Sequence, residues 1–365
     1  MVLICNKFEL YGAIVNVSKA VSEKSTMAVL EGIKLSLNNN VLMLTGYDLE
    51  LGIKTEISVK SQDKGDIIVN ARLFSDIIKR MPCDEVLIEV FENLQVKISS
   101  GMTEYNISAI SAEEYPELPS SDNCESFDIS QPVLKSMINQ TVFATSQTDI
   151  KPILKGELFD ISGGVFNLVA LDGYRLAVRT EPIKCDKDYK FVVPAKALNE
   201  IAKLLKDDDE LVCTIKMTRK HIIFEFSGYI VYTRMLEGEF HPYKSAIPKE
   251  CSTEVVVNVK ELTDSLERAM LLINERTNSP VKFVFENGQI KLSCSTSIGN
   301  INDEMYADIT GPMIKIGFKC RYMLDPLKVV SEDKVKLLLN GSQMPVKILP
   351  MNGDNYTFLV LPVRL

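Results

Sequence analysis

One pattern of secondary structure recurs three times along the sequence, and this repetition constrains the fold more than any other feature. Hairpin signals centred on Asn39, Gly163 and Asn287 each lie between two runs of strand-forming residues, and 124 residues separate each signal from the next. Chains with internal repeats fold as series of similar units. The repeat therefore predicts three related domains, at residues 1–122, 126–248 and 253–365.

A strand–helix–turn–strand pattern follows each hairpin. The helices of this pattern begin at Ala71, Ala195 and Cys320 and are expected to be about ten residues long. Earlier amphipathic helices are expected at residues 8–22, 132–146 and 261–275. Two helices and many strands per copy predict an α+β domain in which the helices cover one face of an antiparallel sheet.

The second helix of each copy is predicted to be positively charged, although the net charge of the chain is −8. Opposite its apolar stripe, each helix carries three cations and one anion. These residues are Arg72, Asp76, Lys79 and Arg80; Lys196, Glu200, Lys203 and Lys206; and Lys319, Arg321, Asp325 and Lys328. Such faces suit phosphate groups, but the same spacing also forms ion pairs along a solvated helix. Pro326 is expected to kink the third helix or delay its start.

The sequence contains little that predicts catalysis or metal binding. Its eight cysteines are widely spaced, and its two histidines, His221 and His241, lie in poor contexts for a catalytic base. We therefore expect no metal and no cofactor. Asp48 and Asp172 occupy equivalent repeat positions, and we interpret both as turn residues that bind backbone amides. Two alternatives for the function remain open. One is an enzyme that uses Asp48 or Asp172 with Arg175, and the other is a monomeric three-repeat adaptor that does not bind DNA.

The sequence also predicts a cellular location. No apolar run approaches the roughly 20 residues of a membrane helix, and the first residues lack the features of a signal peptide. We expect a cytoplasmic protein that binds no membrane and whose cysteines are reduced.

Four segments resemble the bacterial DNA polymerase III β subunit family, the sliding clamps. They read TGYDLELGI, ALDGYRLAV, EGEFHPY and LVLPVRL, and the resemblance extends over the whole chain in order. It implies three repeated clamp domains per chain, with helices lining the inside of a ring and antiparallel sheets outside, and a six-domain ring formed by a homodimer. The implied function is processivity without catalysis. The ring would encircle double-stranded DNA irrespective of sequence and tether the polymerase III catalytic subunit, the clamp loader complex and other replication and repair proteins.

The resemblance also assigns residues to three surfaces. Those expected to face DNA are Lys24, Arg72, Lys79, Arg80, Lys196, Lys203, Lys206, Arg321 and Lys328. A cleft for a short peptide of each client protein is expected between the second and third domains, at Leu154, Leu171, Gly173, Tyr174, Arg175, Leu176, Pro242, Met344, Pro345, Val360, Leu361, Pro362, Val363 and Arg364. The dimer contact is expected at Tyr105, Ile107, Leu271 and Leu272.

Two positions depart from the family pattern. The usual Phe-Pro-Asp-Tyr is Phe-His-Pro-Tyr at residues 240–243, which is expected to reshape that edge of the cleft. Ala28 stands where the family usually has a proline.

Overall fold

The order of secondary-structure elements repeats three times in the computed structural model, which describes residues 1–22, 24–120, 124–273 and 279–365. The first copy contains β1 (Val2–Asn6), α1 (Lys7–Val17), β2 (Gly32–Asn38), β3 (Val41–Tyr47), β4 (Leu51–Ser58), β5 (Lys64–Asn70), α2 (Ala71–Arg80), β6 (Glu85–Val90), β7 (Gln95–Ser100), β8 (Thr103–Ser108) and the short β9 (Ile110–Ser111). The second contains β10 (Glu125–Ser130), α3 (Gln131–Thr141), β11 (Gly156–Ser162), β12 (Val165–Leu171), β13 (Arg175–Pro182), β14 (Tyr189–Pro194), α4 (Ala195–Leu204), β15 (Val212–Met217), β16 (His221–Phe226) and β17 (Tyr229–Arg234). The third contains β18 (Thr253–Asn258), α5 (Val259–Met270), β19 (Val281–Glu286), β20 (Gln289–Thr296), β21 (Gly299–Thr310), β22 (Ile314–Phe318), α6 (Cys320–Leu327), β23 (Lys334–Leu339), β24 (Val346–Leu349) and β25 (Tyr356–Val360).

The three predicted hairpins are confirmed as β2–β3, β11–β12 and β19–β20. Two of their turns have both central residues at positive φ, at Gly163 and Gly164 and at Asn287 and Gly288. Glycine and asparagine adopt this left-handed conformation most readily, which is why these residues mark the turns in the sequence.

The chain forms two compact units by its internal contacts. Unit one is Met1–Leu134 with Glu200–Met235, and unit two is Lys135–Asn199 with Leu236–Leu365. Unit one contains a four-stranded sheet in the order β1-β6-β7-β8 and a nine-stranded sheet in the order β10-β15-β16-β17-β4-β3-β2-β5-β9. Unit two contains a twelve-stranded sheet in the order β14-β11-β12-β13-β25-β24-β23-β18-β21-β20-β19-β22.

Neighbouring copies share a sheet within each unit. In unit one, β4 of the first copy pairs with β17 of the second. In unit two, β13 of the second copy pairs with β25 of the third. Both pairs are antiparallel, as the sequence predicts for the sheets.

The second helices have the predicted starts, and α2 and α4 have the predicted length of ten residues. The first helices begin one or two residues before the expected positions and are shorter than expected. The second helices start at Ala71, Ala195 and Cys320 as expected, while α6 ends at Leu327, so Pro326 lies in its last turn. The expected delay of its start by Pro326 is therefore wrong, and the helix ends one residue after the proline, which has no amide proton to donate to the carbonyl of Tyr322. The expected first helices at 8–22, 132–146 and 261–275 end early at Val17, Thr141 and Met270. Residues 274–275 of the last prediction lie outside the described residues.

Apolar burial fixes the second helices and turns their charged side chains outward. In unit one, α1 packs against α2, and Phe74 and Ile78 of α2 are fully buried. In unit two, α5 packs against α6, which buries Met323 and Leu327 in the same core as Phe283. Burial of side chains of this size stabilises the fold by about 1.5–3 kcal/mol each.

Asparagine caps recur at the N-termini of several helices. The side chains of Asn6, Asn70 and Asn258 accept hydrogen bonds from backbone amides in the first turn of α1, α2 and α5, at 2.8–3.2 Å. Such a cap contributes about 1 kcal/mol. The equivalent position of α6 is Lys319, whose side chain forms no cap.

Candidate binding surfaces

The tight turns around Asp48 and Asp172 have the same geometry in the first and second copies. Asp48 Oδ1 accepts hydrogen bonds from the amides of Glu50 and Leu51, at 3.0 and 2.7 Å. Asp172 Oδ1 accepts from the amides of Tyr174 and Arg175, at 2.8 and 3.0 Å. The interpretation of both aspartates as turn residues is confirmed.

The residue after each aspartate adopts a left-handed conformation. Gly173 has a φ of 92°, and Leu49 occupies the equivalent place with a φ of 74°. Leucine is strained in this region whereas glycine is not. Gly173 therefore lets the turn that carries Tyr174 and Arg175 adopt this conformation without the strain that Leu49 bears in the first copy.

Arg175 is held in place by two carboxylates. Its Nε donates to Asp172 Oδ2 at 3.1 Å, and its Nη1 donates to Asp325 Oδ2 on α6. The guanidinium carbon also lies 4.7 Å from the ring centroid of Tyr322 and 5.5 Å from that of Phe143. Only 8% of the arginine is exposed. These contacts let Arg175 position the turn of residues 172–175, which is the wall of the predicted cleft. Because its charge is already neutralised, the arginine is a poor ion-pair partner for a ligand.

Apolar side chains collect behind this wall. Leu154, Leu171 and Leu176 belong to one buried cluster in unit two together with Phe240 and Tyr243. Leu154 enters the cluster from the 3-10 turn Pro152–Lys155. The sequence analysis did not assign Phe240 and Tyr243, although the apolar spacing of EFHPY in a polar segment is a signal that could have found them.

Tyr243 fixes the segment that departs from the family pattern. Its hydroxyl donates to Asp160 Oδ2 at 2.7 Å, and Lys244 Nζ lies 3.3 Å from the same oxygen. Burial and the Asp160 carboxylate raise the pKa of Tyr243 far above its ordinary value, so the hydroxyl stays a donor. Pro242 begins the 3-10 turn Tyr243–Ala246 and is exposed beside this anchor.

The segment after β25 crosses the same wall. The amide of Leu361 donates to the carbonyl of Tyr174 at 2.9 Å, and the amide of Val363 donates to the carbonyl of Gly317 at 2.8 Å. Residues 173–175, 361–363 and the strand before α6 are therefore adjacent. The predicted cleft residues all lie in unit two.

The predicted cleft residues differ in how much of each side chain a ligand could reach. Tyr174, Met344 and Leu361 are 54%, 45% and 41% exposed. Pro345, Pro362 and Val363 are half-buried, and Arg364 is exposed. Val360 is 1% exposed because its register opposite Arg175 turns it into the core of the third copy, whereas Leu359 joins the cluster behind the wall.

The nine predicted DNA-facing cations are all exposed. Each helical anion neutralises part of this charge: Asp76 pairs with Arg80 at 2.8 Å, Glu200 with Lys203 at 2.7 Å, and Asp325 with Arg321 at 3.8 Å. A hydrogen bond from Arg80, aided by the charges of Arg72 and Lys79, lowers the pKa of Asp76. The sequence left open whether these charges form ion pairs along each helix or suit phosphate groups. The ion pairs are present, and the cations still outnumber the anions.

Several of these cations keep their charge uncompensated. Lys24, Arg72, Lys79 and Lys206 have no ion-pair partner in the described part of the chain. Lys328 pairs with Glu267 at 2.8 Å. The second helices therefore present a positive surface after their internal pairs are formed.

The residues expected at a dimer contact are exposed or half-buried. Tyr105 (39% exposed) and Ile107 (half-buried) are on β8, which pairs with β7 at the end of the four-stranded sheet. Leu271 and Leu272 directly follow α5, and Leu271 is 82% exposed. Exposed apolar side chains at a sheet edge are typical of surfaces that another strand covers.

Two classes of site have no candidate within the residues that the structure describes. No three His, Cys, Asp or Glu side chains come close enough there to hold a metal ion. None of the helices in the described ranges has both the length and the apolar character that a membrane crossing requires.

Comparison with known proteins gives one consistent result. Family models described as the N-terminal, central and C-terminal domains of the DNA polymerase III beta subunit match residues 1–119, 128–242 and 244–364. The chain is 34% identical to the beta sliding clamp of Bacillus subtilis, with 98% of both chains covered, and 32% identical to that of Halalkalibacterium halodurans, with 96% of both covered. A crystal structure of the Bacillus subtilis DNA polymerase sliding clamp superposes with a TM-score of 0.96 at 33% identity, and a putative DNA polymerase III beta subunit of Eubacterium rectale with 0.93 at 33%; each comparison covers 100% of this chain and 99% of the other.

Proposed function

This chain belongs to the DNA polymerase III β subunit family, the bacterial sliding clamps, and from that premise we propose that it is the processivity clamp of a replicative DNA polymerase. Its three repeats are clamp domains, with proposed boundaries at 1–122, 126–248 and 253–365. Two chains close into a ring around duplex DNA in the cytoplasm, and the ring tethers its clients without catalysing a reaction.

The pairing between copies carries the proposal of a closed ring. β4 joins the first copy to the second through β17, and β13 joins the second to the third through β25. The equivalent edges that remain are residues 299–306 of β21, which pair with β20, and β8 in the first copy, which pairs with β7. Only residues 307–310 of β21 pair with β18. Because a strand edge with unpaired amides and carbonyls is a docking template, a second chain would satisfy both.

The repeat also sets the register of this contact. Ile53 lies opposite Val231 where β4 meets β17. The equivalent residues are Ile301 on β21 and Tyr105 on β8, so Ile301 of one protomer lies opposite Tyr105 of its partner. Tyr105 and Ile107 then contribute to the interface from one chain, and Leu271 and Leu272 from the other.

The exposed cations of the second helices supply the attraction for DNA. They are proposed to face the phosphate backbone, together with Lys24, and such contacts carry no sequence information. A closed ring retains DNA by its topology, so weak and salt-dependent attraction is sufficient and permits sliding.

The wall built on Asp172 and the segment 360–364 form the proposed client site. Clients are the polymerase III catalytic subunit, the clamp loader and other replication and repair proteins that carry a short peptide with apolar anchors. Each buried anchor would stabilise the complex by about 1.5–3 kcal/mol. Weak binding of this kind permits exchange between clients.

Retention on DNA of different topology tests the proposal. The protein is loaded on nicked circular duplex DNA, and half of the sample is then linearised by a restriction enzyme. We expect retention on the circle and rapid loss from the linear form, with a solution mass near twice that of one 40.9 kDa chain. Equal retention on both forms would contradict a topological link to DNA, and a monomer that does not associate with DNA would favour the adaptor alternative.

A further inference from the structure

Lys319 directly precedes α6, at a position that borders the client site. Asn70 caps α2 through a hydrogen bond to the amide of Leu73 at 2.9 Å, and Lys319 stands at the equivalent position of α6. Lysine has no acceptor with which to cap a helix. Lys319 therefore contributes no cap to α6, as Pro194 contributes none to α4, and the contacts of its side chain lie elsewhere.

The ammonium group of Lys319 lies over two tyrosine rings. Its Nζ is 5.0 Å from the ring centroid of Tyr174 and 5.2 Å from that of Tyr322, and these rings are 6.0 Å apart. Cation–π contacts act within about 6 Å, so the rings hold the ammonium group in one place. The lysine is half-buried.

Of the three neighbouring cations Arg175, Lys319 and Arg321, it is Lys319 whose charge no carboxylate compensates in the described part of the chain. Arg175 is neutralised by Asp172 and Asp325, and Arg321 also pairs with Asp325. In the part of the chain that the structure describes, Lys319 forms no ion pair. An ammonium group without a carboxylate partner favours an external anion.

The position of this charge is defined relative to the client site. Tyr174 accepts the amide of Leu361, and Gly317, two residues before Lys319, accepts the amide of Val363. The ammonium group therefore borders the wall along which the client peptide is proposed to lie.

We propose that Lys319 is a specificity-determining residue that binds the carboxylate of an aspartate or glutamate beside the apolar anchors of a client peptide. This inference rests on the proposed function, because it names the chemistry that the same site selects. Lys319 adds a charge-assisted hydrogen bond to the apolar contacts, and the two tyrosine rings hold its ammonium group beside them.

Matched peptides measure this selectivity. The probes are fluorescent ten-residue peptides with an amidated end and a central Leu-Phe pair. Each peptide carries one Glu, at one of the three positions on either side of this pair. Each has a partner peptide with Gln at the same position. The full-length protein is titrated with each probe as wild type, Lys319→Gln and Lys319→Asn. The Asn variant restores the cap found at α1, α2 and α5. Lys315→Gln, which removes an exposed lysine on the neighbouring strand β22, is the control.

At one Glu position, the wild type is expected to bind the Glu peptide about tenfold more tightly than its Gln partner. Both Lys319 variants should reduce this ratio to less than twofold, while Lys315→Gln keeps the ratio. The inference is overturned if no Glu position is preferred, or if the preference survives in Lys319→Gln. Failure of every peptide, Gln forms included, would instead overturn the proposed client site together with this inference.

Discussion

The guanidinium of Arg175 donates a hydrogen bond to the carboxylate of Asp325, which lies 150 residues later in the chain. Arg175 belongs to the turn that bears Tyr174, whereas Asp325 is the anion of the positively charged helix α6. One ion pair thus joins the wall of the client site to a helix proposed to face DNA. Because the arginine is nearly buried, loss of its partner leaves a charge that water reaches poorly.

Replacing Asp325 by Asn should therefore destabilise the protein. We expect a loss of about 1–3 kcal/mol in the free energy of unfolding, because the carboxylate is partly exposed and Asp172 still pairs with the arginine. Urea denaturation measures the loss, and titration with a Leu-Phe peptide should show weaker binding. Arg321→Gln is the matched control, since its pair with Asp325 spans 3.8 Å at an exposed site and should change stability little. Equal stability of Asp325→Asn and wild type would contradict this account of the pair.

The sequence was sufficient for features that depend on local spacing. The hairpins at Asn39, Gly163 and Asn287 follow from residues that tolerate positive φ, and the exposed cations of α2 follow from the helical period. The contact between Arg175 and Asp325 could not be found this way, because nothing local relates residues so far apart.

The direction of two side chains at the site could not be predicted from the sequence either. Val360 and Leu359 are adjacent apolar residues, and only their register against β13 decides which core each one enters. Lys319 was grouped with the positive face of its helix, yet its ammonium group lies over Tyr174 and Tyr322. The sequence shows that a lysine precedes α6, but it does not show that the rings of Tyr174 and Tyr322 meet beside it.

A fully buried carboxyl predicts how stability depends on pH. Burial raises the pKa of Glu157 from 4.5 to about 8, although the hydroxyl of Thr141 partly offsets this increase. Between these pH values the folded state keeps a proton that the unfolded state has released. Stability should therefore fall as pH rises from about 4.5 to 8, by at most about 1.4 kcal/mol per pH unit.

Replacing Glu157 by Gln should remove this component, since the amide has the same shape and no charge. Urea denaturation at pH 5, 6, 7 and 8 should show a flatter profile for the variant and a gain over wild type that grows with pH. Replacement of the exposed Glu56 by Gln should leave the profile unchanged. An identical slope in Glu157→Gln and wild type would show that the buried carboxyl does not carry the dependence.

Cations without an internal partner should contribute most to DNA binding. Neutralising Arg72, Lys79 and Lys206 to Gln is expected to weaken retention on circular DNA and to lower the dependence of log affinity on log salt by up to about 3, because each phosphate contact contributes about 0.9. Solution mass should stay that of the dimer. Lys60→Gln, at an exposed lysine that pairs with Glu85, is the control. Unchanged salt dependence in the triple variant would contradict the assigned surface.

Cross-linking tests the register derived for the two protomers. Residues directly opposite on antiparallel strands have Cα atoms about 4.5–5.5 Å apart, within the range that a disulfide spans. In a background where the exposed Cys83 and Cys251 are serine, Tyr105→Cys combined with Ile301→Cys should give a covalent dimer on mild oxidation. Ile107→Cys with Ile301→Cys, offset by two residues, should cross-link poorly. The reverse order of yields would rule out this register.

Removal of residues 361–365 should separate client binding from folding. It deletes Leu361, 41% exposed, and the contact of Val363 with Gly317, but it leaves β25 complete. We expect affinity for a Leu-Phe peptide to fall about tenfold or more, because apolar contact area is lost, while dimer mass and retention on circular DNA are unchanged. A longer deletion that includes Leu359 and Val360 would remove side chains that are 2% and 1% exposed, and it would therefore lose stability as well as binding. Full peptide affinity in the 361–365 deletion would show that this segment is not part of the client site.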